Sequence, residues 1–222
     1  MIRRIALLTI AVPLVLAGCK SPASESLINQ ADEFLKYDQY SQAARAVEPV
    51  VRDHPGNWRA QLAYGRALMG EGDLEGARRA LDRAHSLQSD NGDAVFALAT
   101  CQAKQGDSAA AYQLLRGYGR DFHSWRAYAT LSTIAEQVGD ADTALQAADD
   151  AIKVNDPVPG QKMSTEPYLR AAEVSFKYGR EEAGVRRLRQ AYGINPDDPR
   201  VSILLREHNV QPGKAIALPP GV

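Results

Sequence analysis

The residues of this 222-residue chain that could do chemistry are four histidines, two cysteines and a scatter of adjacent carboxylates. His54, His85, His123 and His208 lie far apart in sequence. None stands at i, i+4 from another ligand type or in a Cys-x-x-His arrangement, the spacings that let a helix turn or tight loop grip a metal. There is no Gly-x-Ser-x-Gly elbow and no glycine-rich loop running into Lys-Ser or Lys-Thr. No activated nucleophile or phosphate cradle is therefore signalled. Catalytic carboxylates must converge in a pocket, and nothing around Asp149-Asp150 or Asp197-Asp198 indicates one. Cys101 sits among alanines in a helical pattern, a place for a small packing residue rather than a nucleophile. The pattern reads as a non-enzyme with no catalytic residue, metal, cofactor or small-molecule substrate.

Cys19 is the exception. The first eighteen residues read MIRRIALLTIAVPLVLAG. Arg3 and Arg4 form a positive start, and Ile5 to Leu16 is apolar but too short for an ordinary membrane span. Leu16-Ala17-Gly18-Cys19 follows. This stretch resembles the bacterial lipobox, in which cleavage leaves a lipid-modified cysteine at the new N-terminus. The resemblance implies removal of residues 1–18, lipidation of Cys19 and a short polar tether over 19–26. Two or more acyl chains give stable attachment. Lys20, rather than Asp, follows the cysteine, which by the same resemblance implies the periplasmic face of the outer membrane. With Cys19 modified, Cys101 has no partner within the chain, so no disulfide staples the fold.

Composition limits the body of the chain. Formal charge is −1, and without the leader's two arginines 24 basic residues face 27 acidic ones. That balance speaks against general nucleic-acid binding, which needs a basic field. Much of the apolar content is alanine, which favours closely packed helices, and no runs alternate with period two. An all-α fold follows.

The helices are organised by a repeat. Gly72-Asp73, Gly106-Asp107 and Gly139-Asp140 recur at 34 and 33 residues, and Gly179-Arg180 follows after 40. Each glycine suits the left-handed end of one helix, and each aspartate the start of the next. With units opening at Ser24, Trp58, Gly92, Trp125 and Thr165, the eighth position reads Ala31, Gly65, Ala99, Ser132 and Ala172. The twentieth reads Ala43, Ala77, Ala111, Ala144 and Gly184. Two antiparallel helices approach closely where side chains are small, and larger apolar residues a turn away fill the flanks. A single hairpin cannot bury its apolar face, so neighbours must stack.

This pattern resembles the tetratricopeptide repeat, with its small residues at positions eight and twenty and, at Pro55 and Pro196, its frequent proline near the unit's end. The resemblance covers about residues 24–198. It implies a right-handed superhelix of about five stacked hairpins over 27–208, with a capping helix from Pro199 to His208, where Arg206 replaces the small eighth residue. The proline-containing segment 209–222 reads as a disordered tail. Arg116-Gly117-Tyr118-Gly119 is expected to loosen the end of the third unit, and Pro157–Thr165 reads as an inserted loop.

In such a superhelix the first helix of each hairpin lines a concave face. Carrying the family's inward positions over gives Arg59, Leu62, Arg66, Met69, Phe96, Arg126, Leu169 and Phe176 as partner-binding residues. The lysine and asparagine set of the carboxylate-clamp subtype is absent. An apolar floor with arginines beside acids suits an amphipathic helix or extended peptide. A lipidated chain of this length with this number of stacked repeats resembles the Tad/Flp pilus assembly lipoproteins and the type IV pilus pilotins, which implies protein partners such as secretins or pilus components. An adaptor for outer-membrane protein assembly or cell-wall enzymes is the alternative.

Overall fold

The computed structural model describes residues 22–156 and 163–221, so Cys19 and most of the Pro157–Thr165 insertion lie outside the described residues. The described chain is all-helical. Five hairpins follow in order: α1 (Pro22–Lys36) with α2 (Tyr40–Asp53), α3 (Trp58–Glu71) with α4 (Leu74–Leu87), α5 (Gly92–Lys104) with α6 (Ser108–Asp121), α7 (Trp125–Gln137) with α8 (Ala141–Lys153), and α9 (Glu166–Lys177) with α10 (Glu181–Ile194). The cap α11 (Pro199–Glu207) and a short 3-10 turn, Lys214–Ile216, complete it. Every helix packs on its neighbour in sequence, and α1, α3, α5, α7 and α9 also meet one another in turn. The first helices thus form the inner wall.

The turns are built as the Gly-Asp repeat requires. Gly72, Gly106, Gly139 and Gly179 adopt φ of 90, 90, 80 and 69°, a region where a side chain is strained. Asp73, Asp107 and Asp140 then accept backbone N–H groups of Gly76, Ala110 and Thr143, capping α4, α6 and α8. The first hairpin lacks this device: Asp38 takes the left-handed turn at φ 56°, and Gln39 makes no side-chain cap. Asn57, Asn91 and Ser124 cap the first helices of units two to four through the backbone N–H of Ala60, Ala94 and Ala127.

The small positions are where the hairpins close. Ala31, Ala99, Ser132, Ala172, Ala43, Ala77, Ala111 and Ala144 are all buried without measurable exposure. At Gly65 an added Cβ would lie 2.6 Å from Cγ of Leu81. At Gly184 the ring of Phe176 fills the space a Cβ would need. The larger residues between, such as Val47, Leu81, Leu115 and Leu188, fill the flanks and are equally buried.

Three expectations are corrected. Helix α1 starts at Pro22, so residues 22–26 are helix rather than tether; proline suits the first helical turn, where its missing N–H has no partner to lose. Arg116-Gly117-Tyr118-Gly119 does not loosen α6, which runs through it to Asp121. Gly119 is buried against the Tyr128 ring, 2.7 Å from where its Cβ would stand. The tail is not a free coil, because it lies along α10. Leu218 donates its N–H to the Arg189 carbonyl at 3.1 Å, and Arg189 Nε donates to the Ile216 carbonyl at 2.8 Å. Gln190 Nε2 reaches the carbonyls of Pro219 and Gly221 at 3.3 and 2.9 Å. Arg187 also donates to the Gly221 carbonyl, at 3.1 Å, while the Gly221 N–H donates to the Tyr168 hydroxyl at 3.1 Å.

The cap is latched at its start. Asp198 is buried, caps α11 through the Arg200 N–H, accepts from Thr165 Oγ1 at 3.1 Å and pairs with the Arg200 guanidinium at 2.8 Å. Arg200 also reaches Glu166 at 2.7 Å, tying α11 to the start of α9. Hydrogen bonding from Arg200, outweighing burial, holds the Asp198 carboxyl below its ordinary pKa. A carboxylate lowered on folding stabilises the fold above its unfolded pKa, and that contribution is lost as pH falls through the folded value. Asp198→Asn keeps a capping side chain but removes the charge that Arg200 pairs with, and is therefore expected to cost about 1 kcal/mol at neutral pH and to flatten the fall of Tm below about pH 4. A thermal-melt series against pH checks it; unchanged slopes in the variant would mean the latch carries no charge-dependent stability.

Candidate functional site: the concave face

The predicted groove residues separate by their place along the first helices. Arg66, Met69 and Phe96 come together. With Leu35, Asp38, Tyr40, Ala97, Thr100 and Thr130 they line an open cleft of about 410 Å³ on the inner wall of the first four units. Met69 and Phe96 are half-buried, with part of each side chain facing the cleft. Sequence position missed Asp38, in the α1–α2 turn, and Tyr40, the first residue of α2, neither of which lies on a first helix. They project into the cleft because the α1–α2 turn places them there, with the Tyr40 hydroxyl donating to Asp38 at 2.5 Å.

Two predicted residues are corrected to core. Leu62 and Leu169 are 6% and 4% exposed, whereas Phe96 at the same position of the third unit stays half-buried at the cleft. Phe176 is corrected as well. His208 of the cap stacks on it with ring centroids 3.6 Å apart at 9°, while Glu181 holds the His208 Nδ1 at 2.6 Å. The cap thus covers the groove's last aromatic.

The arginines are not equivalent. Arg59 is held by Glu25, by Asn29 at 3.2 Å and by Asp32 at 3.7 Å, bridging α1 and α3. Arg126 lies over the Phe96 ring, 5.6 Å from its centroid, and 3.7 Å from Asp93. Arg66 has no carboxylate within 4 Å among the described residues. Its field still reaches Asp32, whose carboxyl burial raises against the pull of Arg59, Arg66 and Lys36. Arg66 is thus the cation of the cleft not already committed to an acid.

Further along the wall, Glu136 ties α7 to α9. It accepts from Lys177 at 2.7 Å and pairs with Arg170, whose Nε also reaches Ser132 Oγ at 3.3 Å. Burial opposes the Glu136 charge, but the hydrogen bonds from Lys177 and Arg170 prevail and its pKa is lowered. This network fills the groove there with its own charges.

Little here suits other chemistry. Among the described residues no group of three His, Cys, Asp or Glu is placed to hold a metal ion. Cys101 is fully buried, and burial pushes its thiol pKa up, away from reactivity. No helix among the described residues is long and apolar enough to cross a membrane.

Two tetratricopeptide-repeat family models match the sequence, over residues 28–86 and 68–134. The fold is a tetratricopeptide superhelix, and stacks of this kind are typically non-catalytic scaffolds for protein contacts. Solved structures agree on the fold. A thermophilic tetratricopeptide-repeat protein of Thermus thermophilus superposes with a TM-score of 0.60 at 14% identity, over 84% of this chain and 99% of that one. MamA of Desulfovibrio magneticus gives 0.55 at 13% identity, over 81% and 99%. A repeat protein of Parabacteroides merdae gives 0.60 at 12% identity, over 84% and 71%. No curated protein sequence matches this chain.

Proposed function

We propose that the chain is a lipid-anchored scaffold of the outer membrane whose concave cleft binds a segment of another protein. The observation that carries the binding reading is the cleft itself: apolar walls from Leu35, Met69 and Phe96 beside an arginine without an acid. An amphipathic helix or extended peptide with an apolar anchor and a carboxylate fits that chemistry. The anchoring reading rests on Leu16-Ala17-Gly18-Cys19 and Lys20. Among envelope machines, assembly of a pilus or secretin suits a chain of this length with a lipidation motif and five repeats. An adaptor for outer-membrane protein assembly or cell-wall enzymes is the competing assignment.

The mature protein, isolated with Cys19 intact from crosslinked membranes, is expected to carry a secretin or pilus component identifiable by mass spectrometry. Recovery of barrel-assembly or cell-wall enzymes instead would move the scaffold to the competing machine. Cys19→Ser is expected to shift the chain from the membrane to the soluble fraction, and unchanged fractionation would remove the anchor from the proposal.

Arg66→Glu is expected to weaken the recovered partner about tenfold or more, roughly 1.4 kcal/mol. As an exposed-face substitution outside the core it should leave Tm within about 2 °C. Titration of the identified partner segment against both chains measures this, and equal affinity would remove the cleft from the binding surface.

A further inference from the structure

We infer that the outer face of α6, centred on Gly117, is a second docking surface, built for an extended acidic and apolar segment of a partner protein. The argument starts from two glycines in one unbroken helix. Gly119 is required by packing, as the Tyr128 ring shows. At Gly117 an added Cβ would meet nothing within 4 Å. Alanine would fit there, and a glycine inside a helix sacrifices stability to no packing end. At the same position of the other units stand Pro49, Arg83, Asp150 and Gln190. The third unit alone removes the side chain.

The fifth unit shows an extended segment already crossing a hairpin's second helix, at a glycine one turn beyond the position of Gly117. There the tail crosses α10, held by Gln190, and the Leu218 carbonyl takes the place that a Cβ on Gly193 would need. This chain therefore already uses a helical glycine to admit the backbone of an extended segment. Gly117 offers the same close approach to a segment from outside.

The surroundings define the segment. Gly117 separates two clefts of about 440 and 590 Å³. One is walled by Leu114, Tyr118 and Phe122, with Phe122 stacked on Tyr118 at 4.5 Å and 52% exposed. The other holds Arg116, which lies 5.9 Å from the Tyr112 ring centroid and has no carboxylate within 4 Å among the described residues. A strand places alternate side chains on one face about 7 Å apart. Crossing α6 at Gly117, it would seat an apolar side chain against Phe122 and bring a carboxylate to Arg116. This surface is independent of the concave cleft, and either can fail alone.

The test puts the photocrosslinking residue p-benzoylphenylalanine at exposed Gln113, which borders both clefts, in the full chain in its own cells. The expected product is an adduct to an acid-containing, extended segment of another protein. It should be lost in Gly117→Gln and Arg116→Glu but kept in Arg66→Glu. No adduct, an adduct to a helix or to a second copy, or one indifferent to Gly117→Gln would overturn the assignment. Gly117→Ala separates docking from packing: its Tm should rise by about 2 °C, and a fall would give the glycine a structural role and sink the proposal.

Discussion

Leu81→Ala is expected to destabilise the protein by about 3–5 kcal/mol, the largest effect of any single truncation in the second unit. Leu81 is fully buried and packs with Leu62, Ala77, Ala84, Ala94, Leu98 and Cys101. Its side chain sits over Gly65, whose missing Cβ makes the room. The alanines among these neighbours cannot reach into the cavity, because alanine has no side-chain torsion with which to respond. The converse substitution, Gly65→Ala, forces Leu81 aside and is expected to cost about 1–3 kcal/mol. The two should couple when combined, since each alters the same contact. Urea denaturation of the singles and the double measures this. A cost below about 1 kcal/mol for Leu81→Ala would show that the Gly65–Leu81 contact does not hold the second hairpin shut.

Removing residues 212–222 is expected to cost roughly 2–4 kcal/mol, concentrated in the fifth unit. The tail supplies the acceptors of Gln190 Nε2 and one acceptor of Arg187, both buried residues. Without it Gln190 keeps only the bond its Oε1 accepts from Arg187 at 2.9 Å, and Arg187 keeps Asp149 at 2.8 Å. Water admitted to the uncovered site offsets part of the loss, which sets the estimate below the sum of the broken bonds. Ile216 also leaves the apolar cluster around Tyr168 and Leu188. Hydrogen exchange should show α10 and α11 losing protection while α1 to α6 keep theirs. Unchanged protection in α10 would mean the tail rests on the helix without supporting it.

The repeat was legible because its physics is local. A glycine at φ 90° followed by a capping aspartate is a property of a few consecutive residues, and Gly72-Asp73 announces itself. The small eighth and twentieth positions were legible for a related reason, since each marks the closest approach within one hairpin. The tail was not legible. Its prolines resemble those of a free coil, and what orders it are side chains on α10, far back along the chain. Gly117 and Gly119 look alike in sequence, and only the ring of Tyr128 from the next unit distinguishes them. The groove was half legible. Helical period places Arg66, Met69 and Phe96 on one wall, but the depth to which Leu62 sinks depends on spacing between hairpins. The covering of Phe176 depends on where the cap's His208 lands.

The contact pattern has a mechanical consequence. Each hairpin leans on the ones beside it, so tension applied at the two ends runs through the hairpins in series rather than being shared by a common core. The first hairpin, whose turn lacks the glycine and whose second helix lacks a side-chain cap, is expected to yield first. When it opens, about 30 residues of chain release on the order of 100 Å of slack while the remaining units stay folded. A stack pulled from its two ends would thus let out length at one hairpin before the others give way.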